Sequence, residues 1–381
     1  MWGGAPRDLD NITHTLFALT LARTPLGRAG RGTTAALIVA SNVPDIDILT
    51  AIPGGFVTYL RWHRGPTHGP LGVVALGVAT AAIVRACYRL LDRRRGADAA
   101  APGASFAMLA IAATIGALLH VLMDLPTSYG TRLLSPFDWH WYAVDWMPII
   151  DIYLLVAMAV GLVFGRASAA ARGRNAAIVL ALMAANYGVR AAAHHEALAL
   201  APRLFGPTLP QRCPGEAVST TVVDVWPRER LLQDSAIAAS GRRCLVEMAA
   251  IPNFFSPFSW RVIARFSNAY EIHDVDLLDA RFREPASESE VFWRRAVRYP
   301  NIWTDTVVRA AATTTAQVFL GFSRFPAARS FVDAAGAATV RLSDVRFAGS
   351  GFVDQARRAD PFTVIIRTSA DGRITEEAFG R

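Results

Sequence analysis

The 381-residue chain contains no lysine, and all 39 of its basic residues are arginine. Charge is sparse as well: 18% of residues are charged against 52% hydrophobic, and the mean hydropathy is +0.28. A single soluble globular domain is a poor fit to that balance. The net charge of +8 would suit a nucleic-acid binder, but the arginines lie in short loops between apolar runs and form no continuous basic patch. Membrane topology explains that pattern, and nucleic acid is excluded as a partner. Cysteine is scarce too. Cys87, Cys213 and Cys244 make no C-x-x-C pair, which excludes a cysteine zinc site. The first ten residues are polar, with no basic stretch leading into an apolar one, so no cleavable signal peptide is expected there. No internal repeat is visible, and the one biased stretch is an Ala/Gly/Arg linker near Arg94–Gly103.

The apolar residues concentrate before about Leu200. Ile12–Leu26 and Thr33–Leu49 are two short apolar arms separated by Gly27-Arg28-Ala29-Gly30-Arg31-Gly32. Each is brief for a full crossing of about 20 residues, so they are either steep spans or a hairpin packed within a bundle. Gly69–Leu91, Ser105–Leu125 and Pro148–Gly165 read as clear spans. Asn175–Leu200 is a further one, with a polar end in Arg190, His194, His195 and Glu196.

Arginine placement sets the expected orientation. If the loops at Gly27–Gly32, Arg93–Arg95 and Arg166–Arg174 share a side, that side holds Arg23, Arg28, Arg31, Arg85, Arg89, Arg93, Arg94, Arg95, Arg166, Arg172 and Arg174. The opposite side holds Arg7, Arg61, Arg64 and Arg132. The positive-inside rule makes the first side cytoplasmic. Residues 201–381 are then extracytoplasmic, where Cys213 and Cys244 either pair as a disulfide or remain two buried thiols.

After Pro202 the texture changes. Val218–Trp226, Cys244–Ile251, Trp260–Phe266, Tyr270–Leu277, Ala316–Phe322, Ala338–Phe347 and Thr363–Arg367 are rich in β-branched and aromatic residues and bounded by turn formers, and read as strands. The expected fold is therefore mainly α: a polytopic helical bundle over residues 1–200, followed by a smaller β-rich soluble domain over 201–381.

Chemistry-bearing residues gather at the ends of the apolar segments. Trp62-His63-Arg64-Gly65-Pro66-Thr67-His68 places two histidines five apart around Gly-Pro, which breaks a helix and lets a bent loop turn both imidazoles toward one point. Asn11-Ile12-Thr13-His14 opens the first segment, and Asn42-Val43-Pro44-Asp45-Ile46-Asp47 closes the second. His120 and Asp124 stand at i and i+4, on one helical face. The expected topology puts all four clusters at the extracytoplasmic membrane face. Each alone reads equally well as a cap, a stop or a core histidine; together they point to a metal, a partner or an ion pathway, because ionisable groups at membrane depth are costly. The candidate ligands are His14, Asp45, Asp47, His63, His68, His120 and Asp124, and the mixture suits zinc, manganese or iron. Asp124 is either a base or only a ligand. Arg132, in the hydroxyl-rich Leu125–Phe137 stretch, is either a candidate to neutralise an anionic substrate group or a surface residue on a tight turn. Trp139, Trp141, Tyr142 and Trp146 read as an interfacial aromatic belt, with His140 and Asp145 as reserve ligands.

The set Thr13-His14-Thr15-Leu16, Asn42-x-Pro44-Asp45-x-Asp47, His63-Arg64-Gly65-x-Thr67-His68 and His120-x-x-x-Asp124-x-x-Thr127-x-Tyr129-Gly130-Thr131 resembles the family described as inner-membrane metal-dependent hydrolases, whose bacterial members include a LexA-regulated protein. This likeness covers about Asn11–Pro136. A looser one, in Asn253–Trp260 and Asp344–Phe347, extends to the C-terminal portion of longer members. A fainter resemblance links the ordered His and Asp residues to zinc-dependent phospholipase C and related nucleases, although this chain has neither their soluble all-helical context nor a matching terminal Trp ligand. The resemblance implies an inner-membrane protein and a divalent metal, with zinc the first expectation. The expected activity is hydrolysis by metal-activated water at the extracytoplasmic face, on a membrane lipid or phosphoester. The competing expectation is a non-enzymatic membrane protein with a structural metal site or an ion pathway.

Overall fold

The computed structural model describes residues 5–95, 103–164, 168–200, 204–205, 211–213, 222–227, 244–279, 297–347 and 362–380. These form two compact units. One joins Met1–Leu49 to Trp62–Ala191, and the other joins Thr50–Arg61 to Ala192–Arg381.

The first unit is helical. Its α-helices are α1 (Ala5–Leu21), α2 (Thr33–Ala40), α4 (Pro70–Arg95), α5 (Phe106–Asp124), α6 (Ile152–Phe164) and most of α7 (Ala169–Leu200), while α3 (Ala51–Trp62) falls largely in the second unit. Helix α5 is central, packing on α4 and α2. Its start is capped by Ser105, whose hydroxyl accepts the Met108 N–H at 3.2 Å. Its buried positions are Leu109, Ala112, Ala113, Gly116, Ala117, His120, Val121 and Asp124, a single stripe at helical spacing. The stripe is apolar and small until its last turn, where it becomes His and Asp. Small residues let neighbours come close. A methyl group on Gly77 of α4 would lie 2.7 Å from the Thr114 Cα of α5, so the two backbones meet at a distance only glycine permits.

The outward faces are apolar as well. Leu71, Val74, Val78 and Ile83 of α4, Ile111, Leu118 and Leu122 of α5, and Ile178, Leu182 and Val189 of α7 are all exposed. So large an apolar surface suits lipid and would be a liability in water. Among the described residues, Pro70–Arg94, Phe106–Asp124 and Ala169–Leu200 are long and apolar enough to cross a membrane; the count is four if Thr33–Ala40 and Val43–Trp62 form one broken span.

Three helical segments differ from expectation. Helix α1 starts before Ile12, so His14 lies within the helix and not at its opening. The Thr33–Leu49 arm breaks after Ala40. The Asn42 amide there turns back to the Ile38 carbonyl at 2.8 Å, and Pro44 has no N–H to continue the ladder, so Val43–Thr50 winds as a 3-10 helix. The expected span Pro148–Gly165 contains a 13-residue helix, about 20 Å long against a hydrocarbon core of about 30 Å. It starts late because Asp151 caps it, accepting the Leu154 N–H at 2.9 Å.

The arginine loops meet at one end of this unit. Arg31 pairs with Asp92, its carbonyl accepts the Ala104 N–H at 3.2 Å, and the Arg23 guanidinium donates to the Gly161 and Leu162 carbonyls at 3.1 and 2.8 Å. His120 and Asp124 sit at the far end of α5 from that cluster, about 21 and 27 Å from its first residue by helical rise.

The second unit is built on two antiparallel four-stranded sheets. The short strands β1 (Trp141–Ala143) and β2 (Asp224–Trp226) precede them in the chain. One sheet runs in order β3 (Leu245–Pro252), β4 (Ser259–Phe266), β5 (Ala269–Asp276), β6 (Val297–Pro300). The other runs β10 (Ile374–Phe379), β9 (Thr363–Thr368), β8 (Ala338–Asp344), β7 (Pro326–Val332). Strand β4 is buried on both faces: Trp260, Val262, Ala264 and Phe266 pack with Ala193 and Ala197 of α7, and Ile263 packs with Tyr270, Tyr299 and Phe325. Helices α8 (Asp305–Ala311) and α9 (Thr314–Phe322) cover the second sheet through Val307, Ala310, Phe319 and Leu320.

The expected strand Ala316–Phe322 is thus a helix. Thr313 caps it by accepting the Ala316 N–H at 3.4 Å, and its buried residues Ala316, Phe319 and Leu320 follow a helical period. Strand Ala338–Phe347 ends at Asp344 and tightens into a 3-10 turn over Val345–Phe347. The first part of Val218–Trp226, residues 218–221, lies outside the described residues. Cys213 and Cys244 are joined in a disulfide.

Candidate metal centre

Four side chains from three separate segments converge where the α5 stripe ends. The α5 helix supplies His120 and Asp124 one turn apart. His68 comes from the bent loop before α4, and Asp45 from the 3-10 helix that follows the α2 break. One donor atom from each lies within 4.8 Å of all the others. The two imidazole Nε2 atoms are 3.3 Å apart. Asp124 Oδ2 is 3.5 Å from each of them, and Asp45 Oδ1 is 3.6 Å from each. A tetrahedral ion with bonds of about 2.1 Å separates its ligands by about 3.4 Å. The spacing therefore fits a small divalent cation, and this buried group could hold a metal ion.

The surroundings reinforce the fit. His120 Nδ1 lies 2.9 Å from the Ser41 carbonyl. A carbonyl only accepts, so Nδ1 carries a hydrogen and Nε2 is the ring nitrogen turned toward the group. His68 Nδ1 is held 3.0 Å from the Thr67 hydroxyl. Asp124 is divided between two tasks: Oδ1 faces Arg64 Nη2 at 3.3 Å and His14 Nε2 at 3.5 Å, while Oδ2 faces the two ligand-type histidines. Two carboxylates packed this closely repel one another unless positive charge, from a cation or from a protonated imidazole, lies among them.

Arg64 ties the arrangement together. It is a non-glycine residue at φ 50°, a left-handed conformation that is uncommon for it. Its N–H donates to Asp47 Oδ2 at 2.6 Å, its carbonyl accepts the Arg132 N–H at 3.1 Å, and its guanidinium donates to the Gly130 carbonyl at 3.0 Å. The surrounding loop thus over-determines the strained backbone and aims the guanidinium at Asp124.

Of the seven expected ligands, the structure gathers Asp45, His68, His120 and Asp124. It sets His14 against them, with its ring 4.0 Å from that of His120. Asp47 and His63 form a neighbouring pair, Oδ2 to Nδ1 at 3.2 Å, joined to the group through Arg64. The Arg132 guanidinium lies over the indoles of Trp139 and Trp141 at 5.1 and 4.7 Å. The belt is also rearranged: Trp141 is fully buried, and Trp62, Phe137 and Trp139 provide the exposed aromatic surface. Nearby, the Tyr142 hydroxyl and the His140 N–H and imidazole hold the Asp138 carboxyl down to about 2, fastening the outer loop. His140 and Asp145 are not among the four gathered donors. Arg64, Ser41 and Thr67 are the residues that sequence reasoning passed over; Arg64 stood inside the His63–His68 motif, but Ser41 acts through a main-chain carbonyl that leaves no mark in sequence.

Membrane-length helices with lipid-suited outer faces, and a His/Asp group buried at one end, define a polytopic membrane protein with a candidate metal centre. Residues 9–197 match the family described as YdjM inner membrane protein. The uncharacterized protein YfhP of Bacillus subtilis is 29% identical over 122 residues, 32% of this chain and 33% of that protein. The match thus spans about a third of that relative's length. No solved structure matches the chain.

Proposed function

We propose that the protein is a membrane-bound, metal-dependent hydrolase that uses zinc at the extracytoplasmic face of the membrane, on a lipid or phosphoester. The observation that carries this reading is the convergence of His68, His120, Asp45 and Asp124, with the two imidazole Nε2 atoms 3.3 Å apart, each carboxylate oxygen 3.5–3.6 Å from both, and His120 Nδ1 held by the Ser41 carbonyl. Two nitrogen and two oxygen donors at that spacing suit zinc better than manganese, which favours six oxygen-rich positions. When bound, such an ion acts as a Lewis acid and supplies hydroxide from water near neutral pH.

The chain's own residues do the rest. Arg64 and His14 hold Asp124 so that only Oδ2 faces the group, and Ser41 and Thr67 fix the two imidazoles. Asp47 fixes the backbone of Arg64 and contacts His63. Exposed Trp62, Phe137 and Trp139 suit headgroup depth, which favours a substrate drawn from the membrane. Arg132, braced by two indoles, offers positive charge to an anionic substrate group. Sidedness rests on the arginine distribution and on the Cys213–Cys244 disulfide, a bond typical of oxidising compartments.

A second reading has its own observation. Four protein donors already complete a tetrahedral shell, as in structural zinc sites.

Metal analysis of purified full-length protein, followed by incubation with a lipid extract and a phosphoester panel under mass spectrometry, tests the proposal. About one zinc per chain is expected, with products that disappear in His120→Ala. Identical product profiles from the wild type and His120→Ala would move the structural reading ahead.

A further inference from the structure

The four donors are not equivalent, and the difference bears on whether the centre is closed. His68, His120 and Asp124 have side chains at most 3% exposed, whereas a quarter of the Asp45 side chain is open. Each of the three buried donors is also anchored at its far atom. His120 is held by the Ser41 carbonyl, His68 by the Thr67 hydroxyl, and Asp124 by Arg64 and His14. Among the described residues Asp45 has no such anchor: its side-chain interactions are with the histidine nitrogens themselves, each at 3.6 Å. It also stands on different scaffolding. His120 and Asp124 stand in the last turns of α5 and His68 directly precedes α4, while Asp45 rides on a 3-10 helix, whose hydrogen bonds are weaker and whose turns yield more easily.

Resting on the metal-hydrolase reading, we infer that His68, His120 and Asp124 are the permanent ligands and that Asp45 is an exchangeable one, which withdraws to let substrate or solvent reach the ion. Outer partners fix ligand orientation in metal sites, and a catalytic site needs three fixed protein donors and one open position. A two-histidine, one-carboxylate set with a displaceable fourth donor meets that need. A centre with four anchored donors would not.

The test uses full-length protein in detergent, with its native ion exchanged for cobalt(II), whose visible absorption reports the number and kind of donors. Azide is the probe for an exchangeable position. Wild-type protein should bind cobalt, and added azide should shift its visible bands saturably. Asp45→Asn should hold cobalt within about tenfold of wild type, below the loss usual for an ablated ligand, and should take azide more tightly because no carboxylate competes. His68→Ala and Asp124→Asn should lose cobalt by more than about 100-fold. Asp45→Asn is isosteric, and an unchanged elution volume in size exclusion would report that it folds. The inference fails if Asp45→Asn loses cobalt as completely as His68→Ala. It fails equally if azide leaves the spectra of wild type and Asp45→Asn unmoved. Failure of the wild type to bind cobalt or zinc at all would instead remove the metal reading itself, and the inference with it.

Discussion

Arg190 shows how one residue can stabilise a membrane bundle without touching the candidate centre. It is fully buried within α7, with its Nη2 2.7 Å from Asp151 Oδ2, and Asp151 in turn caps α6 through Oδ1. The pair therefore staples α7 to the start of α6 in surroundings that water does not reach. A buried pair of this kind adds little net energy over an apolar substitute, but removing one partner strands the other charge, at a cost of roughly 3–5 kcal/mol. Arg190→Leu is expected to lower the midpoint of thermal unfolding in detergent sharply, and Asp151→Leu with Arg190→Leu should recover much of the loss. If the double variant is no more stable than Arg190→Leu, stranded charge is not the cause. Arg64 works differently: it spends a strained backbone to hold an acidic ligand in place, so its role lies in the shape of the centre more than in stability.

At the scale of elements, the centre depends on the approach of α4 to α5, because His68 immediately precedes one helix and His120 and Asp124 end the other. Gly77 sets that approach. A side chain there meets Thr114 Oγ1 at 2.3 Å and the Thr114 backbone N at 2.8 Å, so the helices must part. Metal sites tolerate distance errors of only about 0.2 Å. Gly77→Val is therefore expected to weaken zinc binding at least about tenfold, although it touches no ligand. Competition with a chelator measures this, and undiminished affinity would mean that the His68 loop is positioned independently of α4. Much of this arrangement was legible in the sequence. The His120/Asp124 pair, the His63–His68 loop and the two long apolar helices were all visible as spacing. The break after Ala40 was visible as Pro44, but its consequence was not, since Asn42 turns back to Ile38 only in three dimensions. Local composition also misled. Ala316–Phe322 has the aromatic content of a strand, and the Thr313 cap and tertiary packing on the second sheet make it a helix. Likewise, the apolar content of Pro148–Gly165 reads as a full span and does not reveal that Asp151 delays the start of α6. The division of Asp47 and His63 from the other ligands could not be read from spacing, because it turns on which carboxylate oxygen the Arg64 N–H occupies.

For the whole molecule, two unrelated features bear on the same question of sidedness. The arginine loops gather at one end of the helical unit through Arg31–Asp92 and through Arg23 on the Gly161 and Leu162 carbonyls, and arginine-rich ends remain cytoplasmic. The Cys213–Cys244 disulfide belongs to the chain after the last membrane-length helix, and such a bond persists outside a reducing cytosol. Both features support the proposed orientation, in which the His/Asp end faces away from the cytoplasm and residues 201–381 are extracytoplasmic. An alkaline phosphatase fusion after Gly215 should then be active, and a fluorescent protein that matures only in the cytoplasm should stay dark at the same point. In intact cells carrying a Cys87→Ser background, a thiol reagent should label Cys213 and Cys244 only after reduction. That variant removes the exposed free thiol and leaves the disulfide untouched. Closing the 31-residue separation contributes roughly 3–4 kcal/mol by chain entropy, so reduction should also lower the thermal midpoint of the isolated protein. An inactive phosphatase fusion together with free thiols before reduction would reverse the orientation. The candidate centre would then open to the cytoplasm, and the substrate would have to come from the inner leaflet or from solution on that side.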